Sequence, residues 1–238
     1  MYAKWSINSY SIHFNSNGGS QIADKTANYN SKITLPKPTR TGYTFVGWYK
    51  DSALKTSAGS SVTLTSNITL YAKWNINKYT VKFNSVGGTI STRTVNYNST
   101  ISQPASPTRK GYTFLGWYKD ASGKVAWNFA KDKVTTNTTI YAKWVANPAK
   151  PTNVKLTKSG LSSVKFTWSS VSGAAGYEIV KSTSKTGTFG HLTNVTKTNY
   201  TNSGLTRGKT YYYKVRSYKL VGSKKIYSDW TSVIAFKR

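Results

Sequence analysis

The chain has no cysteine, one methionine, six prolines and only six acidic residues in 238. Without cysteine there can be no disulfides and no thiolate-held metal, so each module must be held by packing and backbone pairing alone. Six scattered carboxylates leave little material for an acid–base dyad. No stretch approaches the roughly 20 apolar residues that a bilayer-spanning helix needs. The two histidines, His13 and His191, are too far apart in sequence to form a local ligand cluster. These absences argue against metal, thiol and paired-carboxylate chemistry alike.

What the chain has instead is repetition. Gly42-Tyr43-Thr44-Phe45-Val46-Gly47-Trp48-Tyr49-Lys50-Asp51 returns as Gly111-Tyr112-Thr113-Phe114-Leu115-Gly116-Trp117-Tyr118-Lys119-Asp120, 69 residues later. Both copies follow Pro-Thr-Arg, which reads as a turn into a strand. Tyr10 to Ser16 matches Tyr79 to Ser85, and each is followed by a glycine pair, Gly18-Gly19 and Gly87-Gly88. The closing phrase Tyr71-Ala72-Lys73-Trp74 recurs as Tyr141-Ala142-Lys143-Trp144 and stands a third time as Tyr2-Ala3-Lys4-Trp5. A fixed period of this length marks tandem supersecondary units. The chain is expected to start on the tail of a preceding copy and to be a piece of a longer protein.

Period-two alternation predicts strands. Tyr10, Ile12 and Phe14 fall on one face, with Ser11, His13 and Asn15 on the other. Asn17-Gly18-Gly19 supplies a tight reversal. In the aromatic phrase Tyr112 and Phe114 share a face and are expected to be buried. Residues 52–67 read as loop with at most a short helix. Val125 to Phe129 should fill the second copy's core better than the bland stretch it replaces. Asn147-Pro148-Ala149-Lys150-Pro151 is a stiff linker. Beyond it, short β-rich runs separated by turn residues predict a β-sandwich. Leu205-Thr206-Arg207-Gly208-Lys209-Thr210-Tyr211-Tyr212-Tyr213-Lys214-Val215 has the form of a tyrosine corner. The expected organisation is therefore mainly β: a tail at 1–5, repeats at 6–78 and 79–146, a linker at 147–151 and a sandwich at 151–238.

The motifs carry a resemblance. Asn-Ser-x-Gly-Gly, Pro-Thr-Arg-x-Gly-Tyr-Thr-Phe-x-Gly-Trp-Tyr-Lys-Asp and Tyr-Ala-Lys-Trp make residues 10–74 and 79–144 resemble the Listeria–Bacteroides repeat, the B-repeat of internalin-like surface proteins. Pro151, Trp168 and the corner phrase make residues 151–238 similar to a fibronectin type III domain. The first resemblance implies compact β-grasp-like modules strung along extracellular proteins of Gram-positive bacteria, with no catalytic residues and no cofactor to carry over. Absence of cysteine suits that setting.

Weaker patterns lead nowhere. Ser52-Ala53-Leu54-Lys55, Ser182-Thr183-Ser184-Lys185 and Lys185-Thr186-Gly187 fit fragments of the penicillin-recognising signatures, but lack the helix start and partner motifs those need. Asp51 and Asp120 occupy equivalent places and mark a turn. Recurring Trp48, Trp74, Trp117 and Trp144 suit packing better than a sugar platform, while Trp230 is placed more openly.

Charge remains. Thirty-four Lys and Arg give a formal net charge of +28, which favours polyanionic partners. Residues 150–238 hold 16 of the cations against Glu178 and Asp229. If Tyr211, Tyr213 and Val215 point inward, Tyr212, Lys214, Arg216 and Tyr218 point outward, with Lys224 and Lys225 in or near the next turn. That row is the candidate polyanion-binding strip. The sequence thus leads to an extracellular, wall-associated adhesion segment binding an anionic wall or host glycan polymer (teichoic acid or sulfated glycan), or extracellular DNA. The alternatives are a spacer presenting a head domain and an accessory region of a secreted hydrolase.

Overall fold

The computed structural model describes residues 2–85 and 91–238, so the expected Gly87-Gly88 turn lies outside the described residues. The chain falls into two compact units, Met1–Ala105 with Trp117–Tyr141 and Ser106–Gly116 with Ala142–Arg238. All regular structure among the described residues is strand, as the alternation predicts.

The first repeat comprises β1 (Ser9–Asn15), β2 (Lys25–Asn28), β3 (Lys32–Thr34), β4 (Tyr43–Tyr49), β5 (Ser57–Gly59), β6 (Ser61–Thr63) and β7 (Ile68–Ile76). Its sheet has the order β2-β1-β7-β4-β5, and β1 runs parallel to β7, from Ile12 opposite Ile68 to Asn15 opposite Tyr71. Strand alternation sends Ile12 and Phe14 of β1 and Leu70 and Ala72 of β7 to the same face. A separate ribbon, β3 with β6, lays Ile33, Leu35, Val62 and Leu64 against that face. Residues 52–67 are therefore not loop with a short helix. Val62-Thr63-Leu64 alternates, and burying every second residue is what a strand achieves and a helix cannot.

The aromatic strand departs from expectation in an instructive way. The pairing of β4 with β7 slips between Phe45, opposite Trp74, and Gly47, opposite Lys73. This bulge adds one residue and so moves Trp48 onto the same face as Phe45. Trp48 then takes the deep position at 1% exposure, against Phe14 at 4.9 Å between ring centroids, and donates its Nε1–H to the Pro36 carbonyl. Phe45 is left at the rim, against Trp74.

The second repeat, β8 (Lys78–Asn84), β9 (Ser91–Asn96), β10 (Tyr112–Tyr118) and β11 (Thr138–Ala146), has the sheet order β10-β11-β8-β9 with β8 parallel to β11. Trp117 is again the buried ring, packed on Phe83, and Phe114 is only half-buried. Tyr112 is 37% exposed, so the expectation that Tyr112 and Phe114 form the buried pair is corrected. From the Val125–Phe129 stretch Phe129 stacks on Phe83, whereas Val125 faces out.

The C-terminal sandwich has one sheet of β12 (Lys155–Lys158), β13 (Val164–Thr167) and β16 (Asn199–Asn202). The other orders β15 (Gly190–Val195), β14 (Gly176–Ser182) and β17 (Thr210–Val221), with β18 (Lys224–Tyr227) and β19 (Ile234–Lys237) both on the free edge of β17. Phe166, Trp168, Tyr177, Ile179, Tyr213 and Val215 meet between the sheets. The tyrosine corner is formed: the Thr206 N–H donates to the Tyr211 hydroxyl at 3.0 Å.

Candidate functional site

The outer face of β17 is where the sequence places its binding strip, and the local geometry begins with an interruption. Between β18 and β19 the chain leaves the sheet, and two hydroxyls take over the work of backbone carbonyls. The Ser217 N–H donates to Ser228 Oγ and the Val215 N–H to Thr231 Oγ1, each at 3.0 Å. The Ser228 and Thr231 N–H groups return bonds of 2.9 Å to the Ser217 and Val215 carbonyls. With these buried groups satisfied, Ser228 to Thr231 can bow outward. Trp230 is thereby brought over the outer face of β17.

Trp230 lands between the two cations of that face. Arg216 lies 4.2 Å from the Trp230 ring on one side and 3.6 Å from Tyr227 on the other. Lys214 sits 5.5 Å from Trp230 and 4.0 Å from Phe189. Further along, Lys225 covers the Tyr218 ring at 4.5 Å, and Tyr218 meets Tyr227 edge to face at 5.8 Å. Cation and ring alternate along the strand because period two puts Lys214, Arg216 and Tyr218 on one face.

Arg216 is also ion-paired. Glu178 stands directly opposite it across β14 and β17. The Arg216 Nε and Nη2 both donate to Glu178 Oε2 at 2.6 Å, and His191 Nδ1 lies 3.1 Å from Oε1. At 13% side-chain exposure this carboxylate is held inside the ladder.

The strip therefore changes composition. Tyr218 keeps its phase but is only 8% exposed, roofed by Lys225 and wedged over Gly176, where an added Cβ would come within 2.5 Å of the Tyr218 hydroxyl. It is not an open platform, and that expectation is corrected. Arg216 faces outward as expected, yet its charge is answered by Glu178 and its faces by two rings. Tyr212 and Lys214 are half-exposed, Lys225 half-covered and Lys224 fully at the surface. Trp230, Tyr227, Phe189 and Glu178 were not singled out from sequence as parts of this arrangement. The signal existed in the hydroxyls flanking Trp230, but which residue faces Arg216 depends on a cross-strand register that sequence does not print.

The remaining candidates resolve into structure. His13 bonds the carboxylate of its neighbour Asp24. Asp51 accepts the Lys55 and Thr56 N–H groups, which hold its carboxyl below the usual range. Asp120 does the same in the second repeat. The Ser122 hydroxyl, then the Val125 N–H at 3.0 Å and the Lys124 N–H, lower it to about 2. Both mark a turn, in different repeats. Trp74 donates its Nε1–H to the Ser16 carbonyl at 2.9 Å and packs on Phe45. In each repeat an arginine covers the first tyrosine of the aromatic strand, Arg40 on Tyr43 and Arg109 on Tyr112, both at 3.8 Å. Among the described residues no helix is long and apolar enough to cross a membrane.

Comparison with known proteins agrees with the motifs. The Listeria-Bacteroides repeat domain matches residues 10–73 and 79–143, together more than half of the chain, and the Fibronectin type III domain matches 149–234. A protein described as a membrane protein in Evansella cellulosilytica is 45% identical over 150 residues, covering 62% of this chain and 23% of that relative. Internalin H of Listeria monocytogenes is 38% identical over 143 residues, 57% of this chain and 26% of the relative. The chain thus spans about a quarter of the length of these relatives. A solved Fn3-like protein from Clostridium thermocellum covers 38% of this chain and 92% of its own, at 26% identity and a TM-score of 0.34. On the extent of the repeat match, the chain belongs to the Listeria-Bacteroides repeat family, with two such repeats followed by a fibronectin type III domain.

Proposed function

We propose that this chain is a non-catalytic, extracellular segment of a bacterial surface protein that holds anionic wall or glycan polymers by charge spread over its surface. The observation that carries this is the fate of the acids. Five of the six carboxylates are committed within their own modules: Asp24 to His13, Asp51 and Asp120 to their turns, Asp132 to Lys119 and Glu178 to Arg216 and His191. None of these builds an acidic patch, which leaves the formal net charge of +28 with little local opposition. Such a surface attracts polyanions over a Debye length of roughly 8–10 Å at physiological salt.

The proposed mode is diffuse. In the sandwich strip Arg216 and Tyr218 are occupied internally, so Tyr212, Lys214, Lys224 and Lys225 contribute only as part of a wider field. Lys155, Lys158 and Lys165, on the other sheet and exposed, should count equally. The spacer reading is favoured by tandem repetition and needs no ligand.

The test is retention of the whole chain on purified cell wall, heparin and immobilised DNA against rising salt. A variant with Lys214, Lys224 and Lys225 changed to serine is compared with one in which Lys155, Lys158 and Lys165 are changed. Diffuse binding lowers the eluting salt by similar amounts in both. Loss of retention in the first alone would restore a localised strip. A parent chain that washes through at low salt ends the polyanion reading and leaves the spacer; retention on DNA alone reassigns the polymer.

A further inference from the structure

Every closing phrase in the chain is followed, three residues after its tryptophan, by an asparagine: Trp5 by Asn8, Trp74 by Asn77, Trp144 by Asn147. The structure shows what that asparagine does. The Asn77 N–H donates to the Gly42 carbonyl at 2.9 Å, and its Oδ1 accepts the Thr44 hydroxyl at 2.7 Å. Asn147 repeats both bonds, to the Gly111 carbonyl at 2.8 Å and from Thr113 at 2.6 Å. The asparagine thus closes the repeat it leaves. It also opens the next one, since the Asn77 carbonyl accepts the Tyr97 N–H at 2.7 Å. Asn8 accepts the Tyr29 N–H in the same way, also at 2.7 Å.

The consequence is a contact between successive repeats. Tyr97 is seated on Gly42, so closely that a Cβ there would lie 1.9 Å from its Cδ1 and 2.2 Å from its Cε1. Tyr79 braces the Tyr97 ring from within its own repeat, at 6.4 Å between centroids. Gly42 is required twice over: its φ is +80°, and no side chain fits beneath the ring. Gly111 has nearly the same backbone, with φ of +76°, and nothing within 4 Å of a Cβ position. Beyond Asn147 the chain continues as Pro148 into the sandwich, which brings no such tyrosine.

The first repeat carries the mirror image. Tyr29 is braced by Tyr10 at 6.3 Å and tied to Asn8, as Tyr97 is to Tyr79 and Asn77, yet it is 54% exposed where Tyr97 is half-buried. Asn8 is exposed, and the phrase Tyr2-Ala3-Lys4-Trp5 ahead of it is exposed and takes part in no described sheet. We propose that Tyr29 and Asn8 form a docking surface for the Pro-Thr-Arg-x-Gly-Tyr turn of one more repeat of this kind, carried on the same polypeptide and closed by Tyr2 to Trp5. The joint needs covalent continuity, because one asparagine bonds the leaving and the entering repeat. That is why the occupant is a neighbour in the chain and not a separate molecule. Tyrosine on glycine, locked by asparagine, is then the unit that fixes one repeat against the next.

Tyrosine nitration, read peptide by peptide by mass spectrometry, tests this directly. In the chain as it stands Tyr29 is nitrated faster than Tyr97. Gly42→Ala raises Tyr97 to the Tyr29 rate, while Gly111→Ala imposes the same left-handed strain without a ring above it and leaves Tyr97 unchanged. If Gly42→Ala costs the first repeat its fold, Tyr97→Leu reads the joint from the other side. Exchange of the Asn77 N–H then quickens while that of Asn147 does not. In a lengthened chain with residues 9–70 repeated ahead of Tyr2, the copied Tyr29 changed to phenylalanine so that only the original reports, Tyr29 falls to the rate of Tyr97 and the mass of the particle remains that of a monomer. Equal effects of the two glycine substitutions would overturn the joint. Undiminished nitration of Tyr29 in the lengthened chain, or protection accompanied by dimerisation, would overturn its assigned occupant.

Discussion

The repeats and the sandwich use the same two ingredients, a cation and an aromatic ring, to different ends. In the repeats Arg40 covers Tyr43 and donates to the Asn17 carbonyl at 3.0 Å. Arg216 in the sandwich lies between two rings and answers a carboxylate. A guanidinium facing a carbonyl keeps its full charge for the surroundings. One facing Glu178 has spent it on its own fold. Proximity of Lys, Arg and aromatics in sequence therefore does not distinguish a surface that binds from a brace that holds; the presence of a counter-charge across the strand does.

Removing each arginine should separate the two roles. Arg216→Ala leaves Glu178 enclosed without its partner and opens a gap between Tyr227 and Trp230, at an expected cost of about 2–3 kcal/mol to the sandwich. Arg40→Ala should cost the first repeat about 1 kcal/mol or less. Urea unfolding of each variant measures both, and equal costs would erase the distinction.

Alkali sharpens the contrast at a second level. The first repeat's core is built on Phe14 and Trp48, which do not titrate, whereas the sandwich buries Tyr213. Burial pushes the Tyr213 phenol up to about 12, against the opposing bond from Asn202 Nδ2 at 2.9 Å. A raised folded value stabilises the protonated form, so this contribution is complete below pH 10 and is lost as pH rises through about 12. Tyrosinate absorbance should show one phenol ionising last, absent in Tyr213→Phe, and the sandwich should lose stability over that window.

Acid reveals the smallest effect, and in the other region. The depressed carboxyl of Asp120 supports its turn above pH 3.8, and that support fades as pH falls through about 2. NMR titration should place Asp120 near that value, with exchange of the Val125 N–H quickening in step. An ordinary carboxylate titration would mean that the turn is not held this way.

Legibility followed the range of the interactions. The period, the alternation of β1, the tyrosine corner and the turns at Asp51 and Asp120 are set by neighbours in sequence, and all were readable there. The aromatic strand was misjudged at Tyr112 and Phe114: in the first copy a bulge at Val46 changes which residues share a face, and alternation alone cannot show an extra residue. The ribbon of Ile33 and Val62 was missed because both of its strands are three residues long and gain their apolar cover only from the sheet. At the candidate site Lys214 and Arg216 were placed on the correct face from period two. Their partners were not, because Trp230 arrives through hydroxyls standing in for carbonyls and Glu178 through the pairing of β14 with β17.

The parallel pairing of β1 with β7 has a mechanical consequence. The chain enters each repeat through its first strand and leaves through its last, and these two lie side by side, Ile12 to Asn15 against Ile68 to Tyr71 and Val81 to Asn84 against Thr138 to Tyr141. Tension along the polypeptide pulls such neighbours past one another, loading all the rungs between them together, where an antiparallel pair pulled from one end would part rung by rung. A repeat wired in this way bears load in shear, so a string of them resists extension until a whole repeat gives way.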